Sequence, residues 1–298
     1  MFKDTKANKI FMLVVLSIIL IVISVNKSSK TKQTTFDNIE ISEAINIDSL
    51  SNVNIWVDDS LSSAKLVYTS KGNGNVSVES HDGITNVEEK LNKLFFFNID
   101  FEDGSSSISL YLPQDEIKSL NISSESGDIN TYSPLSVDTL KIESSSGDIN
   151  LIGINTNSAI IISSSGDVYT TDINSTNNIE ISNLSGNISS NKLSSDTLNI
   201  SLASGDFNAD QIITNNSVDI ASASGDIEVS NIESNNKLDV ASASGDIEID
   251  KLKVLNKSSI TSASGDIEVN IEDDQLSIKA NSSSGSIEIN DTDYDSNS

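Results

Sequence analysis

Apolar residues recur at fixed positions along most of the chain, and their spacing predicts short β-strands. One column of apolar residues lies two positions after each of nine regularly spaced glycines. Two further columns lie five residues before eight of these glycines and seven residues after six of them. Alternation with a period of two is typical of strands with one buried face. The first column predicts the centre of a core and consists of Ile129, Ile149, Val168, Ile188, Phe207, Ile227, Ile247, Ile267 and Ile287.

The nine glycines mark a repeat of 19 or 20 residues, in which serine precedes every glycine and aspartate follows seven of them. A fixed period of this size indicates stacked structural units. The repeat is too short for a strand, a helix and a returning strand, so we predict an all-β fold, a single-stranded parallel β-solenoid with a right-handed sense. A meander of antiparallel hairpins that turn at Ser-Gly-Asp is the alternative. At each corner we expect the glycine to supply a positive φ, while serine and aspartate side chains satisfy backbone N–H groups.

The amino-terminal segment differs from the repeats. The run "IFMLVVLSIILIVISV" is apolar apart from two serines and has lysines on both sides. Its length predicts one uncleaved transmembrane helix, although a cleaved signal peptide and a buried soluble helix are alternatives. Charge alone is too balanced to orient it. The predicted organisation is a cytoplasmic head (1–9), a transmembrane helix (10–26), a linker (27–35), diverged strands that cap the solenoid (36–112), the Ser-Gly-Asp solenoid (113–290) and a disordered tail (291–298).

Composition excludes several classes of partner and of site. The 298-residue chain has a formal net charge of −26, no cysteine, one histidine, and only lysine as its strong base. Disulfides are therefore impossible, and nucleic acid is not an expected partner. Without arginine, the bidentate recognition of carboxylates or phosphates is also missing.

Acidic residues cluster on one predicted face of three successive carboxy-terminal coils. Each lies next to an inward-facing isoleucine and should therefore point outward. Hard cations prefer oxygen ligands, so weak calcium binding is one interpretation, and a solvated acidic surface is the other. No further cofactor is indicated. The candidate residues are Asp226, Glu228, Asp246, Glu248, Asp266 and Glu268.

Catalysis has little support in the sequence. Two carboxylates on neighbouring coils could serve a polysaccharide hydrolase, but no copy of the repeated aspartate is distinguished by a basic neighbour. We therefore predict that the protein is not an enzyme. Trp56 and the run Phe95–Phe97 could form a platform for sugar stacking, but we expect them to cap one end of the solenoid.

The succession "ISLYLPQDEIKSLNISSESGDIN" followed by further Ser-Gly-Asp-Ile coils resembles the bacterial putative-adhesin family of β-strand repeat domains, which includes LiaG-like membrane proteins. In that family a strand ending in Leu-Pro, here Leu112-Pro113, precedes the first coil. The resemblance implies a β-solenoid displayed outside the membrane behind a single anchor, without established catalytic activity. We therefore expect a membrane-anchored surface scaffold or adhesin with a cell-wall, glycan or protein partner. A regulatory accessory protein of an envelope-stress system is the alternative.

Overall fold

The computed structural model describes residues 31–40, 43–71, 74–91, 106–113, 117–272 and 277–294. This part of the chain consists of β-strands and turns, with no α-helix. No helix long and apolar enough to cross a membrane occurs within it. The predicted transmembrane helix (10–26) and the run Phe95–Phe97 both lie outside the described residues.

From residue 107 onward, the chain forms a parallel β-solenoid. Equivalent strands of successive coils pair in parallel, so Ile149 lies opposite Val168 and Ile227 lies opposite Ile247. The predicted parallel coil is thus confirmed, and the antiparallel meander is wrong for this region. Its strands are β7 (Ser107–Leu112), β8 (Ile117–Ser124), β9 (Ile129–Thr131), β10 (Leu135–Ser144), β11 (Ile149–Ser163), β12 (Val168–Asn183), β13 (Ile188–Leu202), β14 (Phe207–Ser222), β15 (Ile227–Ser234), β16 (Lys237–Ser242), β17 (Ile247–Val254), β18 (Lys257–Ser262), β19 (Ile267–Ile271), β20 (Ser277–Ser282) and β21 (Ile287–Ile289).

The core is a stack of the predicted apolar columns. All nine residues two positions after the glycines are buried, as are the isoleucines and leucines of the third column from Ile154 to Leu252. Parallel stacking places like side chains above one another, so each column becomes a continuous apolar ridge inside the rod. The burial of these ridges is the main favourable contribution to folding.

The amino-terminal strands differ from the predicted set of diverged coils. The strands β2 (Ala44–Ser49) and β3 (Asn52–Val57) form a true coil, which pairs in parallel with β8 and β9. The others include antiparallel covers: β5 pairs with β6, and β1 pairs with β4, which pairs with β7. A period of two fits parallel and antiparallel strands equally, so the sequence pattern did not separate them. Of these strands, β6 (Ile84–Leu91) also pairs in parallel with β2. The antiparallel covering strands are β1 (Thr31–Ile39), β4 (Ala64–Lys71) and β5 (Gly74–His81).

The carboxy-terminal end is covered by a short antiparallel strand. In β22 (Thr292–Tyr294), Thr292 lies opposite Ile289 of β21, and its three residues are all exposed. This strand falls within the segment for which the sequence predicts disorder. The open edge of β21 is thereby paired, which limits edge-to-edge association at this end.

Candidate functional site

The Ser-Gly-Asp corners stack so closely that a side chain at the glycine position is excluded. A Cβ atom added to Gly225 would lie 2.0 Å from the carbonyl oxygen of Gly205, and one added to Gly265 would lie 2.1 Å from that of Gly245. Among the corner glycines, a positive φ occurs only at Gly205 (128°) and Gly225 (136°). The predicted reason for glycine was therefore wrong at most corners, where the close approach of backbones requires it.

The repeated aspartate forms a hydrogen-bonded ladder along the rod. The backbone N–H of each residue in this column donates to the side-chain Oδ1 of the equivalent residue one coil earlier. Each side chain thus supplies an acceptor for an N–H group that the coil above presents at its corner. The bonds join Asp128 to Asn52 (2.9 Å), Asp148 to Asp128 (3.0 Å), Asp167 to Asp148 (2.9 Å), Asn187 to Asp167 (2.8 Å), Asp206 to Asn187 (2.9 Å), Asp226 to Asp206 (3.0 Å), Asp246 to Asp226 (2.8 Å), Asp266 to Asp246 (2.7 Å) and Ser286 to Asp266 (2.7 Å).

The asparagines in this column fit this role. Asn187 keeps an acceptor oxygen and receives the N–H of Asp206. Ser286 directly precedes β21, the last solenoid strand among the described residues, and donates its N–H to Asp266. The column therefore requires an acceptor oxygen wherever another coil is stacked on it, and it does not require a negative charge.

The six candidate acidic residues are brought together as predicted, on one exposed face. Glu228, Glu248 and Glu268 lie in parallel register, and Glu288 extends their column by one coil. Partial burial, then the neighbouring charges of Glu268, Asp250 and Glu228, raise the pKa of Glu248. The backbone and side chain of Ser286 donate hydrogen bonds to Asp266 and lower its pKa. The pKa values of Glu248 and Asp266 therefore shift in opposite directions, because Glu248 is partly buried beside other carboxylates and Asp266 accepts hydrogen bonds.

Calcium binding by these residues stays a prediction. Within the described ranges, no group of three or more acidic, histidine or cysteine side chains has the geometry to hold a metal ion. The Oδ1 atoms of Asp226, Asp246 and Asp266 are already hydrogen-bond acceptors in the ladder. A cation would therefore depend on the remaining carboxylate oxygens of this face.

A buried carboxylate caps the amino-terminal corner, and sequence reasoning did not find it. Glu89 of β6 is only 6% exposed, and it accepts hydrogen bonds from the N–H groups of Leu50 (2.9 Å) and Ser51 (3.0 Å). The hydroxyls of Ser49 (3.0 Å), Ser51 (2.6 Å) and Tyr68 (2.8 Å) also donate to it. Burial, followed by this contact with Glu89, raises the pKa of Tyr68 to about 12. The fully hydrogen-bonded Glu89 thus caps the corner formed by Leu50 and Ser51.

An aromatic stack stands on the outside of the amino-terminal coils. Trp56 packs between Tyr111 (ring centroids 5.0 Å apart, 14° between planes) and Tyr132 (4.7 Å, 10°). The expected end-capping role of Trp56 was wrong, because β3 pairs with β7 and β9 and Trp56 points outward from this sheet. Both of its ring faces are covered by tyrosines, so Trp56 itself offers no open face for a sugar. Tyr132 is 54% exposed at the end of the stack.

A column of asparagine amides runs beside the aromatic stack. The Nδ2 atom of Asn150 donates to Oδ1 of Asn130 (2.9 Å), and Nδ2 of Asn130 donates to Oδ1 of Asn54 (3.2 Å). Oδ1 of Asn54 also accepts the hydroxyl of Tyr132 (3.3 Å). We call Tyr111, Trp56, Tyr132 and these asparagines the aromatic face. Trp56 lies 55 residues from Tyr111 and 76 from Tyr132 in the sequence, so only the strand register reveals their contact.

Comparisons with known proteins identify the fold and the family. No curated protein matches the chain. A solved structure of a putative lipid binding protein from Parabacteroides distasonis is 18% identical, with a TM-score of 0.51, and covers 89% of this chain and 97% of its own. A putative adhesin from Parabacteroides merdae is 15% identical (TM-score 0.45), with the same coverage of 89% and 97%. A putative cell adhesion protein from Clostridium sporogenes is 12% identical (TM-score 0.34) and covers 74% of this chain and 99% of its own.

The likeness to the Parabacteroides distasonis structure concerns the fold alone at this identity. The match of a family model is more extensive, because the Toastrack DUF4097 model matches residues 36–231 and again residues 174–297. Two overlapping matches are what a repeating solenoid should give, since the same coil pattern fits the model in more than one position. The chain belongs to the Toastrack DUF4097 family.

Proposed function

We propose that this protein is a non-enzymatic binding scaffold, held in the membrane by residues 10–26, with its solenoid on the extracytoplasmic side. The observation that carries the proposal is the aromatic face, where a preorganised stack of rings and amides stands on the outside of the rod. Aromatic side chains are enriched at recognition surfaces because they provide large contact areas at little conformational cost.

The chemistry of the carboxylates supports a scaffold and not an enzyme. An acid or base needs a specially prepared environment and access to substrate. The repeated aspartates are half-buried in the first coils and exposed from Asp206 onward, but their contacts are alike. Each of them donates its N–H to the preceding coil and accepts the N–H of the next coil at its Oδ1. Glu89 is buried, but its oxygens are occupied by five donors. Neither group resembles a catalytic pair.

The placement in the membrane is supported by the sequence and by the family resemblance. The apolar run is flanked by three lysines on each side, and the head of nine residues is short. We propose that this head is cytoplasmic and that the linker 27–35 leads outward to the solenoid. A cell-wall, glycan or protein partner would then be reached without crossing the membrane.

Protease accessibility tests this placement. Protease added to intact cells should cleave the chain outside the membrane, and deletion of residues 1–32 should release it from the membrane fraction. Complete protection until lysis would contradict the proposal. Retention of envelope binding by the shortened chain would favour a scaffold, whereas its loss would favour a LiaG-like regulator that acts through its membrane segment.

A further inference from the structure

The exposed part of the aromatic face forms a shallow site around Tyr132. One face of the Tyr132 ring packs on Trp56, and its hydroxyl donates to Asn54, so the ring is held in a fixed position. Ile152 occupies the equivalent position in the next coil, where its N–H donates to Thr131 Oγ1 (2.7 Å). Ile152 is 45% exposed and is not aromatic, so the aromatic stack ends at Tyr132, which is 54% exposed. The site therefore offers one preorganised, half-exposed ring beside an apolar side chain.

Hydrogen-bonding groups border this ring on one side. Asn130 and Asn150 lie in register, two residues before Tyr132 and Ile152 in their coils. Each uses one N–H of its amide in the asparagine column, which leaves a second N–H for a ligand. The next strand continues this border with Tyr169, which lies opposite Asn150 and is also exposed. Amide donors and acceptors beside an aromatic ring suit a ligand that has hydroxyl groups on its edge and an apolar face.

Charge narrows the class of ligand. Asp128, Asp148 and Asp167 form the column beyond the asparagines, and the chain as a whole has a net charge of −26. Polyanionic glycans and anionic lipid surfaces would be repelled from such a site. Carboxylates can nevertheless accept hydrogen bonds from neutral hydroxyl groups. The electrostatic setting therefore favours an uncharged ligand.

We infer that this site binds an uncharged glycan chain, with Tyr132 as the stacking ring and Asn130 and Asn150 as hydrogen-bonding partners. Trp56 is a positioning residue that backs Tyr132. The coils repeat at about 4.8 Å, so a polymer lying along the rod would contact one coil after another. The inference rests on the proposed function, because display outside the membrane is what would bring the site to an envelope glycan.

A protein partner fits this surface less well. A stable protein interface buries about 800 Å² on each side around an apolar core. The large exposed apolar side chains here are Tyr132, Ile152 and Tyr169, and polar columns separate and border them. A site of this size suits a few sugar rings, as small-ligand sites combine an apolar surface with a few polar groups.

The single tryptophan of the chain makes the site directly observable. Trp56 contacts Tyr132, so a ligand stacked on Tyr132 should change the fluorescence of Trp56. The whole 298-residue chain, purified in a mild detergent, is titrated with the hexamers of β-1,4-linked glucose and of N-acetylglucosamine. Polygalacturonate serves as the charged comparison. The variants are Tyr132→Ala, Asn150→Ala and, as a matched control, Tyr294→Ala, which removes an exposed tyrosine from the opposite end.

The expected result is a saturable fluorescence change with at least one uncharged hexamer and none with polygalacturonate. Tyr132→Ala should weaken binding at least about tenfold, Asn150→Ala should weaken it less, and Tyr294→Ala should leave it unchanged. Melting curves identify any variant that fails to fold, in which case Asn150→Ala decides. Absence of saturation with both hexamers, or equal binding by Tyr132→Ala, would overturn the inference. The inference would also be overturned, in favour of a protein partner, by one further result. In that result the chain attaches to isolated envelopes, protease treatment of the envelopes abolishes the attachment, and neither hexamer inhibits it.

The proposed placement and the glycan site can fail separately. The titration uses purified protein and does not depend on which side of the membrane the solenoid occupies. Protease accessibility, in turn, does not depend on any ligand. If the purified chain binds a hexamer but its solenoid proves to be cytoplasmic, the glycan site is supported and the proposed function is wrong.

Discussion

The amino-terminal and carboxy-terminal coils have the same interior and different exteriors. The inward position two residues after the glycine is Ile129 near one end and Ile267 near the other, and both are buried. The outward position next to it changes from asparagine, as in Asn130 and Asn150, to glutamate from Glu228 onward. In every coil, packing constrains the interior and the hydrogen-bonded ladder constrains the corner. The other outward positions are free to vary. The differences in the exterior are therefore where binding properties should be sought.

The largest expected effect comes from filling the corners, which should not tolerate a side chain whatever the φ of the glycine. Gly225→Ala and Gly265→Ala should each cost about 3 kcal/mol or more, because the added Cβ would contact backbone in the preceding coil. Of these two glycines, only Gly225 has a positive φ. Urea unfolding checks both variants, with Ser230→Ala as an exposed control that should have little effect. A harmless Gly265→Ala would mean that φ, and not close stacking, selects glycine.

Removal of the amino-terminal cap should have the next largest effect. Glu89→Ala should lower the free energy of unfolding by about 2 to 4 kcal/mol, because two backbone N–H groups and three hydroxyls lose their acceptor. Glu88→Ala is the matched control, since Glu88 is exposed and pairs with Lys90 at 2.6 Å. Urea denaturation measures both. Equal losses in the two variants would contradict the capping role of Glu89.

A smaller effect is expected from a single rung of the ladder. Asp246→Ala should lower the melting temperature by about 1 to 3 °C, because the N–H of Asp266 loses its acceptor at an exposed position where water can replace it. Asp246→Asn should not lower it, because asparagine keeps the acceptor oxygen, as at Asn187. Thermal melts of the two variants give the comparison. A loss with asparagine as large as that with alanine would show that charge, and not the acceptor, is required.

The smallest effect concerns the glutamate column and its dependence on pH. A pKa raised in the folded state means that Glu248 contributes stability below its ordinary pKa of 4.5 and loses it as the pH rises through the folded-state value. Glu248→Gln should therefore be slightly more stable than the parent at pH 7, and the difference should vanish near pH 4. Glu180→Gln is the control, because Ile160 and Asn199 flank Glu180 in register. If the melting temperatures of Glu248→Gln and of the parent differ by the same amount at every pH in this range, the crowding of charge around Glu248 is contradicted.

The sequence predicted the repeating part of the fold because its interior repeats. Each of the inward columns, such as that from Ile154 to Leu252, could be read from the spacing of glycines. The antiparallel covers β1, β4 and β5 could not, because alternation carries no information on strand direction. In the sequence, Glu89 cannot be distinguished from any other charged residue of an alternating strand. Its contact with Ser51 is visible only in the fold.

The candidate surfaces were predictable to different degrees. The acidic face could be predicted because its residues recur at the repeat period, and their outward direction follows from the buried isoleucines. The aromatic face could not, because Trp56, Tyr111 and Tyr132 lie on three strands that the sequence separates widely. The aspartate ladder also depends on register, since it joins residues 19 or 20 positions apart.

The most direct test of the ladder is the melting of the triple variant Asp226→Asn, Asp246→Asn, Asp266→Asn. Parent and variant are heated in low salt, in sodium chloride and in calcium chloride at matched ionic strength. The ladder predicts that the variant is at least as stable as the parent in low salt, since the acceptors remain and like charges are removed. A variant that melts below the parent in low salt would contradict this account, because it would show that the column requires charge and not only an acceptor. Both salts should stabilise the parent equally if they act by screening alone, whereas a calcium-specific rise that the variant loses would establish a metal site on the remaining carboxylate oxygens.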